Sequence, residues 1–193
     1  GWLLQKYTVY SSVAEDLGLT EDEVMKNLNF TGAKFGEQIQ VSMPHDPATK
    51  WFGKMPPDLS VISRVRGSDW IYTYLKSFYL DESRPLGWNN KLFPNASMPN
   101  PLWELQGLQH AEFGQPDAAT GERHVESLKV TQAGRQNAQQ FDQTARDITN
   151  FLEYVGEPAA LKRQSIGVWV ILFLAALTFL AYLLKQEYWK DVH

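Results

Sequence analysis

The sequence has 193 residues, with 22 acidic side chains against 18 basic, a net charge of −4 and no cysteine. The missing cysteines exclude disulfides, thiolate metal sites, iron–sulfur ligation and a cysteine nucleophile within these residues. The acidic balance argues against a nucleic-acid partner. Mean hydropathy is negative although one segment is strongly apolar, so the remainder is polar, water-exposed and long enough for one domain. The start shows no basic segment followed by an apolar run, so any signal peptide is expected to have been removed already.

In chain order, Thr20 followed by Glu23 is a capping-box pattern that opens a short helix, with Val24 and Leu28 on one face. Glu21, Asp22 and Glu23 then read as a solvated helix N-terminus, favoured by the dipole. From Met43 the texture changes: eight of the ten prolines fall between Pro44 and Pro101, among many aromatic rings. Prolines remove donors and interrupt regular elements, so this is loop-rich backbone wrapped around something apolar, either its own core or a flat cofactor. Two helices interrupt the loops. One is expected after Pro57, with Leu59 and Ile62 inward. The other is capped by Ser68 or Asp69 and carries Ile71, Tyr74, Leu75 and Phe78 at helical spacing.

Residues 111–134 are polar, and His124 to Val130 alternates weakly, as a strand in a small hairpin would. An amphipathic helix follows from about Asn137 to Val155, with Phe141, Ala145, Ile148, Leu152 and Val155 in its stripe. Gly156, as a left-handed cap, and Pro158 end it. Ile166 to Leu184 is a run of nineteen residues without a charge. At about 1.5 Å per residue it spans ~28 Å, close to the hydrocarbon core of a bilayer. Trp169 and Tyr182 near its ends, with Tyr188 and Trp189 beyond, suit interfacial anchors. Lys162 and Arg163 before it balance Lys185 and Lys190 after it, so charge alone does not orient the span.

The sequence carries little that points to catalytic chemistry of its own. His45, His110, His124 and His193 do not pair at zinc spacing and read as exposed or capping side chains. No nucleophile elbow, phosphate loop or calcium loop is present. Met43, Met55 and Met98 each precede proline, which restrains the methionine backbone. That would suit a thioether aimed at a metal, although gap-filling is the commoner use.

These residues together resemble cytochrome c1, the haem subunit of the cytochrome bc1 complex, in its proteobacterial form. Lys6-Tyr7-x-x-Tyr10 and Ala14-x-Asp16-Leu17-Gly18 are similar to the family's stretch after its haem-attachment motif. Met55-Pro56-Pro57-Asp58-Leu59-Ser60, with Arg64-Val65-Arg66 and Asp69-Trp70 downstream, matches a second segment. Phe93 to Pro99 resembles the segment that carries the methionine axial ligand, and Asp147 to Pro158 the helix leading into the anchor.

The resemblance implies a mainly α fold: a cytochrome c-type haem domain with long proline- and aromatic-rich loops and one C-terminal transmembrane helix. Residues 1–158 would form the periplasmic domain, and 159–193 the anchor with a short cytoplasmic tail, in the inner (plasma) membrane. Met98 would be the sixth ligand to the iron of haem c. Arg66, or else Arg64, would pair a haem propionate, and Trp70, Pro56 and Pro57 would wall the haem. The implied partners are cytochrome b, a Rieske iron–sulfur protein as electron donor and a soluble cytochrome c as acceptor. Quinol chemistry would belong to the other subunits. Glu15, Asp16 and Glu21 to Glu23 would steer a basic cytochrome c.

The family's C-x-x-C-H motif is absent: its register puts Trp2 where the second cysteine belongs and Leu3 where the histidine ligand belongs. The expectation is therefore a domain incomplete at its N-terminus, the alternative being a haem-less scaffold subunit.

Overall fold

The structure, a computed structural model, describes residues 9–39, 43, 45–53, 55–116 and 123–190. Trp2, Leu3, Lys6, Tyr7, Pro44 and His193 lie outside them. Two compact units divide the chain, Gly1–Gly156 and Glu157–His193.

The first unit opens with α1 (Tyr10–Leu17), which Gly18 ends in the left-handed conformation at φ 65°. The capping box at Thr20 then forms as expected and starts α2 (Glu21–Asn27). Tyr10, Ala14 and Val24 meet in a small core over which Met25, Ala33 and Phe35 close. Leu28, expected inward beside Val24, is exposed. A third short helix, α3 (His45–Phe52), lies at the start of the proline-rich segment.

The helix expected to start at Pro57 starts later, as α4 (Ile62–Arg66). The Asp58 carboxylate accepts from the Ser60 backbone N–H at 2.8 Å and its hydroxyl at 2.6 Å. That local turn competes with the helix, and it leaves Leu59 exposed. Next comes α5 (Ser68–Lys76), whose N-cap is Gly67 and not Ser68 or Asp69. The Ser68 hydroxyl instead donates to Glu153 Oε2 at 2.8 Å. Phe78 lies beyond the helix, in strand β1 (Phe78–Leu80), which pairs antiparallel with β2 (Trp88–Asn90).

After a single helical turn, α6 (Trp103–Gln106), the polar stretch builds a larger hairpin than its sequence announces. Strands β3 (Gly107–Pro116) and β4 (Arg123–Ala133) pair antiparallel, with register shifts at three places. Each shift moves side chains to the other face, so strict alternation is lost from the sequence. The long amphipathic helix, α7 (Ala138–Gly156), buries Phe141, Ala145 and Thr149 and packs on α4 and α5. Gly156 is not a left-handed cap. It is the last helical residue, and a Cβ there would stand 2.2 Å from the Ser63 hydroxyl oxygen, so close packing explains the glycine.

The second unit is essentially one helix, α8 (Ala160–Trp189). Residues Lys162–Trp189 are long and apolar enough to cross a membrane, and none of their apolar window is buried within the protein. An apolar surface left open along its whole length is at home in lipid, where a helix satisfies its own backbone. The expected run from Ile166 to Leu184 lies inside this helix.

The root of the hairpin depends on two facing glycines. A Cβ on Gly134 would stand 2.3 Å from the Leu105 carbonyl oxygen and 2.4 Å from the Gly107 nitrogen. Both neighbours are backbone, so no rotamer change relieves the clash. Gly134→Ala should lower stability by about 1–3 kcal/mol, read from thermal unfolding by circular dichroism. The control Gly114→Ala, whose nearest neighbour is a side chain 3.5 Å away, should change little.

Candidate functional site

Two arginines leave α4 in different directions. Arg64 lies along α7, its Cγ 3.6 Å from where a Cβ on Gly156 would be. Arg66 turns the other way. Between α4 and α5 the chain bends at Gly67, with φ 87° and ψ 152°, a conformation that a side chain would strain. That bend sets Arg66 beside the first turn of α5, its guanidinium carbon 4.9 Å from the Trp70 ring centroid and 5.6 Å from that of Phe93. Both are within cation–π range.

Positions 70, 74 and 78 carry the aromatic run onward. Trp70 stacks on Tyr74 at 4.8 Å, one helical turn away. Phe93 meets Trp70 edge-on at 6.2 Å, and Phe78 meets Tyr74 edge-on at 4.9 Å. The Tyr74 hydroxyl reaches Met98, donating to its sulfur at 3.6 Å. Burial pushes the Tyr74 phenol above its ordinary pKa, so it keeps its proton. Met98 itself is 39% exposed.

The loop that brings Phe93 and Met98 here is held by buried amide side chains. Asn90, 0% exposed, accepts from the backbone N–H groups of Leu92 at 2.9 Å and Phe93 at 3.1 Å. It also donates to the Tyr74 carbonyl at 2.9 Å. The Asn89 side-chain Oδ1 takes the Asn95 N–H at 2.8 Å, and Arg84 donates to the Asn95 backbone carbonyl at 3.2 Å. Asn95 holds φ 64°, a region asparagine tolerates better than most residues. At the far side Asn100, also buried, takes the Leu102 N–H at 2.9 Å.

A charged cluster fixes α5 to α7. The Asp142 carboxylate accepts from Tyr72 and Lys76 on one oxygen and from Arg146 Nε, at 2.7 Å, on the other. The contacts with Lys76, Tyr72 and Arg146, in that order, hold its carboxyl well below the usual carboxylate range. Nearer the end of α7, the Tyr154 hydroxyl donates to Asp16 at 2.8 Å and ties in α1. Asp16, one of the residues expected to steer a partner, is therefore engaged in the fold.

The structure thus brings together Arg66, Trp70 and Met98, linked by Phe93 and Tyr74. It does not bring in Arg64. Pro56 and Pro57 lie exposed in the irregular stretch before α4. Sequence reasoning placed Tyr74 only on an apolar stripe. Its spacing of four from Trp70 was a usable signal, but its tie to Met98 spans 24 residues and has no local signature. His110 and His124 sit exposed on the hairpin strands.

A mainly helical domain with an aromatic cluster around a half-open methionine thioether, followed by one long apolar helix, has the character of a membrane-anchored c-type cytochrome. Residues 21–192 match the Cytochrome C1 family. The chain is 50% identical to cytochrome c1 of Allochromatium vinosum over 188 residues, 97% of this chain and 77% of that protein. It is 43% identical to the ammonia monooxygenase gamma subunit of Nitrosomonas europaea over 178 residues, 92% of this chain and 72% of that one. Cytochrome c1 of Rhodospirillum rubrum is 29% identical over 164 residues, 72% of this chain and 52% of that one. The chain belongs to the cytochrome c1 family, electron-transfer subunits of bc1-type complexes.

Membership implies haem c as the cofactor. The residues described above fit one face of it: a thioether, an aromatic wall and an adjacent guanidinium. With no cysteine in the sequence, the thioether links of haem c are not made by these 193 residues.

Acid should dissolve the α5–α7 cluster late. Because the Asp142 carboxyl is depressed in the folded state, its stabilisation is complete above the unfolded value, ~4. It is lost as pH falls from there toward the folded value. Asp142→Asn should lower stability at pH 7, and its deficit should shrink as pH approaches 2, in urea unfolding at a series of pH values. A deficit independent of pH would mean that the carboxylate's charge is not what holds the helices.

Proposed function

We propose that this subunit passes single electrons from a Rieske iron–sulfur protein to a soluble cytochrome c, beside cytochrome b, through a haem c whose iron is ligated by Met98. The main domain lies on the periplasmic side of the inner (plasma) membrane and α8 holds it there. The observation that carries this reading is Met98, 39% exposed, with its sulfur against Tyr74 at the edge of the Arg66–Trp70–Tyr74–Phe93 cluster.

When bound, haem supplies a one-electron couple whose potential a thioether ligand raises by favouring the reduced iron. The chain's own residues do the rest. Met98 is presented by a segment set between Pro94 and Pro99 and anchored by Asn89, Asn90 and Asn100. Trp70 and Phe93, which meet edge-on, would lie against one edge of the group. Arg66, stacked on both rings, keeps its charge available for a propionate, a charge-assisted contact that Arg64 is poorly placed to make. Pro56 and Pro57 retain the proposed role of an outer wall, supported by the match of their segment to the family motif.

Met98→Leu tests the assignment. The swap nearly conserves volume, so it should cost less than about 1.5 kcal/mol in packing, while the midpoint potential should fall. An unshifted potential in potentiometric titration would show that another residue ligates the iron.

The electron acceptor is steered by Glu21 and Asp22, which lie exposed in the first turn of α2. Glu23 is engaged in the capping box and Asp16 by Tyr154, so neither suits a clean test. Changing Glu21 and Asp22 to Lys should slow association with a basic cytochrome c at low salt. The difference from the natural protein should vanish as salt screens the charges. An unchanged on-rate at low salt would place the docking surface elsewhere.

A further inference from the structure

We infer that Tyr74 is a positioning residue for Met98, its hydroxyl donating a hydrogen bond to the thioether sulfur and drawing electron density from it. The inference rests on Met98 being the iron ligand. The geometry is direct: Tyr74 Oη lies 3.6 Å from Met98 Sδ, within the range of a hydrogen bond to sulfur.

The Tyr74 ring, and with it the position of its hydroxyl, is fixed by its neighbours. Its ring is stacked on Trp70 at 4.8 Å with an interplanar angle of 10°, and Phe78 meets it edge-on at 4.9 Å. Its backbone carbonyl is held by Asn90, the same side chain that starts the Met98 loop. Donor and acceptor are thus fixed to one frame.

The electronic consequence follows from which lone pairs are shared. A thioether sulfur has two, so one can face a metal while the other accepts from Tyr74. A donor on sulfur weakens its donation to iron, and that loss is felt more by the electron-poor oxidised state. The hydrogen bond therefore raises the potential, as outer hydrogen bonds tune metal ligands generally.

The test is a set of variants of the full-length haem-loaded protein, read by potentiometric titration. Tyr74→Phe keeps the ring and its packing and removes only the hydroxyl. It should lower the midpoint potential, by less than Met98→Leu does. Tyr72→Phe, the same change on the same helix but with its hydroxyl on Asp142, should leave the potential where it is. In a Met98→Leu background, Tyr74→Phe should have no further effect. If Met98→Leu shifts the potential and Tyr74→Phe does not, the hydrogen bond is overturned and the ligand assignment stands. If neither shifts it, the ligand assignment itself fails. A shift from Tyr74→Phe that persists without Met98 would show the hydroxyl acting on something else, and that too overturns the inference.

Discussion

The end of helix α5 sets the terms for everything around it. A helix leaves its last carbonyls without partners, and here that end is buried beneath a loop and a hairpin. Three amide side chains meet the need. Asn90 donates to the Tyr74 carbonyl, while Gln106 and Gln109 both donate to the Lys76 carbonyl, at 3.2 and 3.1 Å. Gln109 also reaches the Phe78 carbonyl at 2.9 Å, and Gln106 accepts from Asn100 at 2.9 Å. All four amides are buried. In such a network each lost partner strands another polar group away from water. The methionine loop, the root of the hairpin and the aromatic helix are in this way one unit.

That unit explains how a loop with so many prolines can hold Met98 in a defined position. Proline stiffens a segment but donates nothing, so the ties must come from residues between the prolines. Asn89, Asn90, Asn95 and Asn100 supply them. Arg66 adds a cation to the same surface without being buried, because its aromatic neighbours replace part of its hydration with their ring faces. The opposite side of α5 is held by a different chemistry, the Asp142 cluster with Lys76, Tyr72 and Arg146. Amides fix one face of the helix and charges the other.

Membership of the cytochrome c1 family supports the electron-transfer reading over a scaffold that merely borrows the fold. The cofactor of that family is haem c, and the apolar length of α8 suits a membrane anchor.

Much of this was legible in the residues themselves. The capping box at Thr20, the stripe of α7 and the apolar run of α8 are local patterns, and local hydrogen bonds or helical periodicity suffice to form them. The expectation for the Met98 segment had another ground, a resemblance carried by short motifs. What the residues did not disclose depended on partners distant in sequence. Ser68 left its expected capping role because Glu153 lies opposite it. Gly156 proved to be a packing glycine because Ser63 stands where a Cβ would go. The hairpin was half hidden because its register shifts break the alternation. Arg64 and Arg66 part because positions two apart lie on opposite sides of α4, but the meeting of Arg66 with Trp70 and the approach of Tyr74 to Met98 were decided by the bend at Gly67 and by Asn90, since only tertiary packing determines which face of a helix meets which loop.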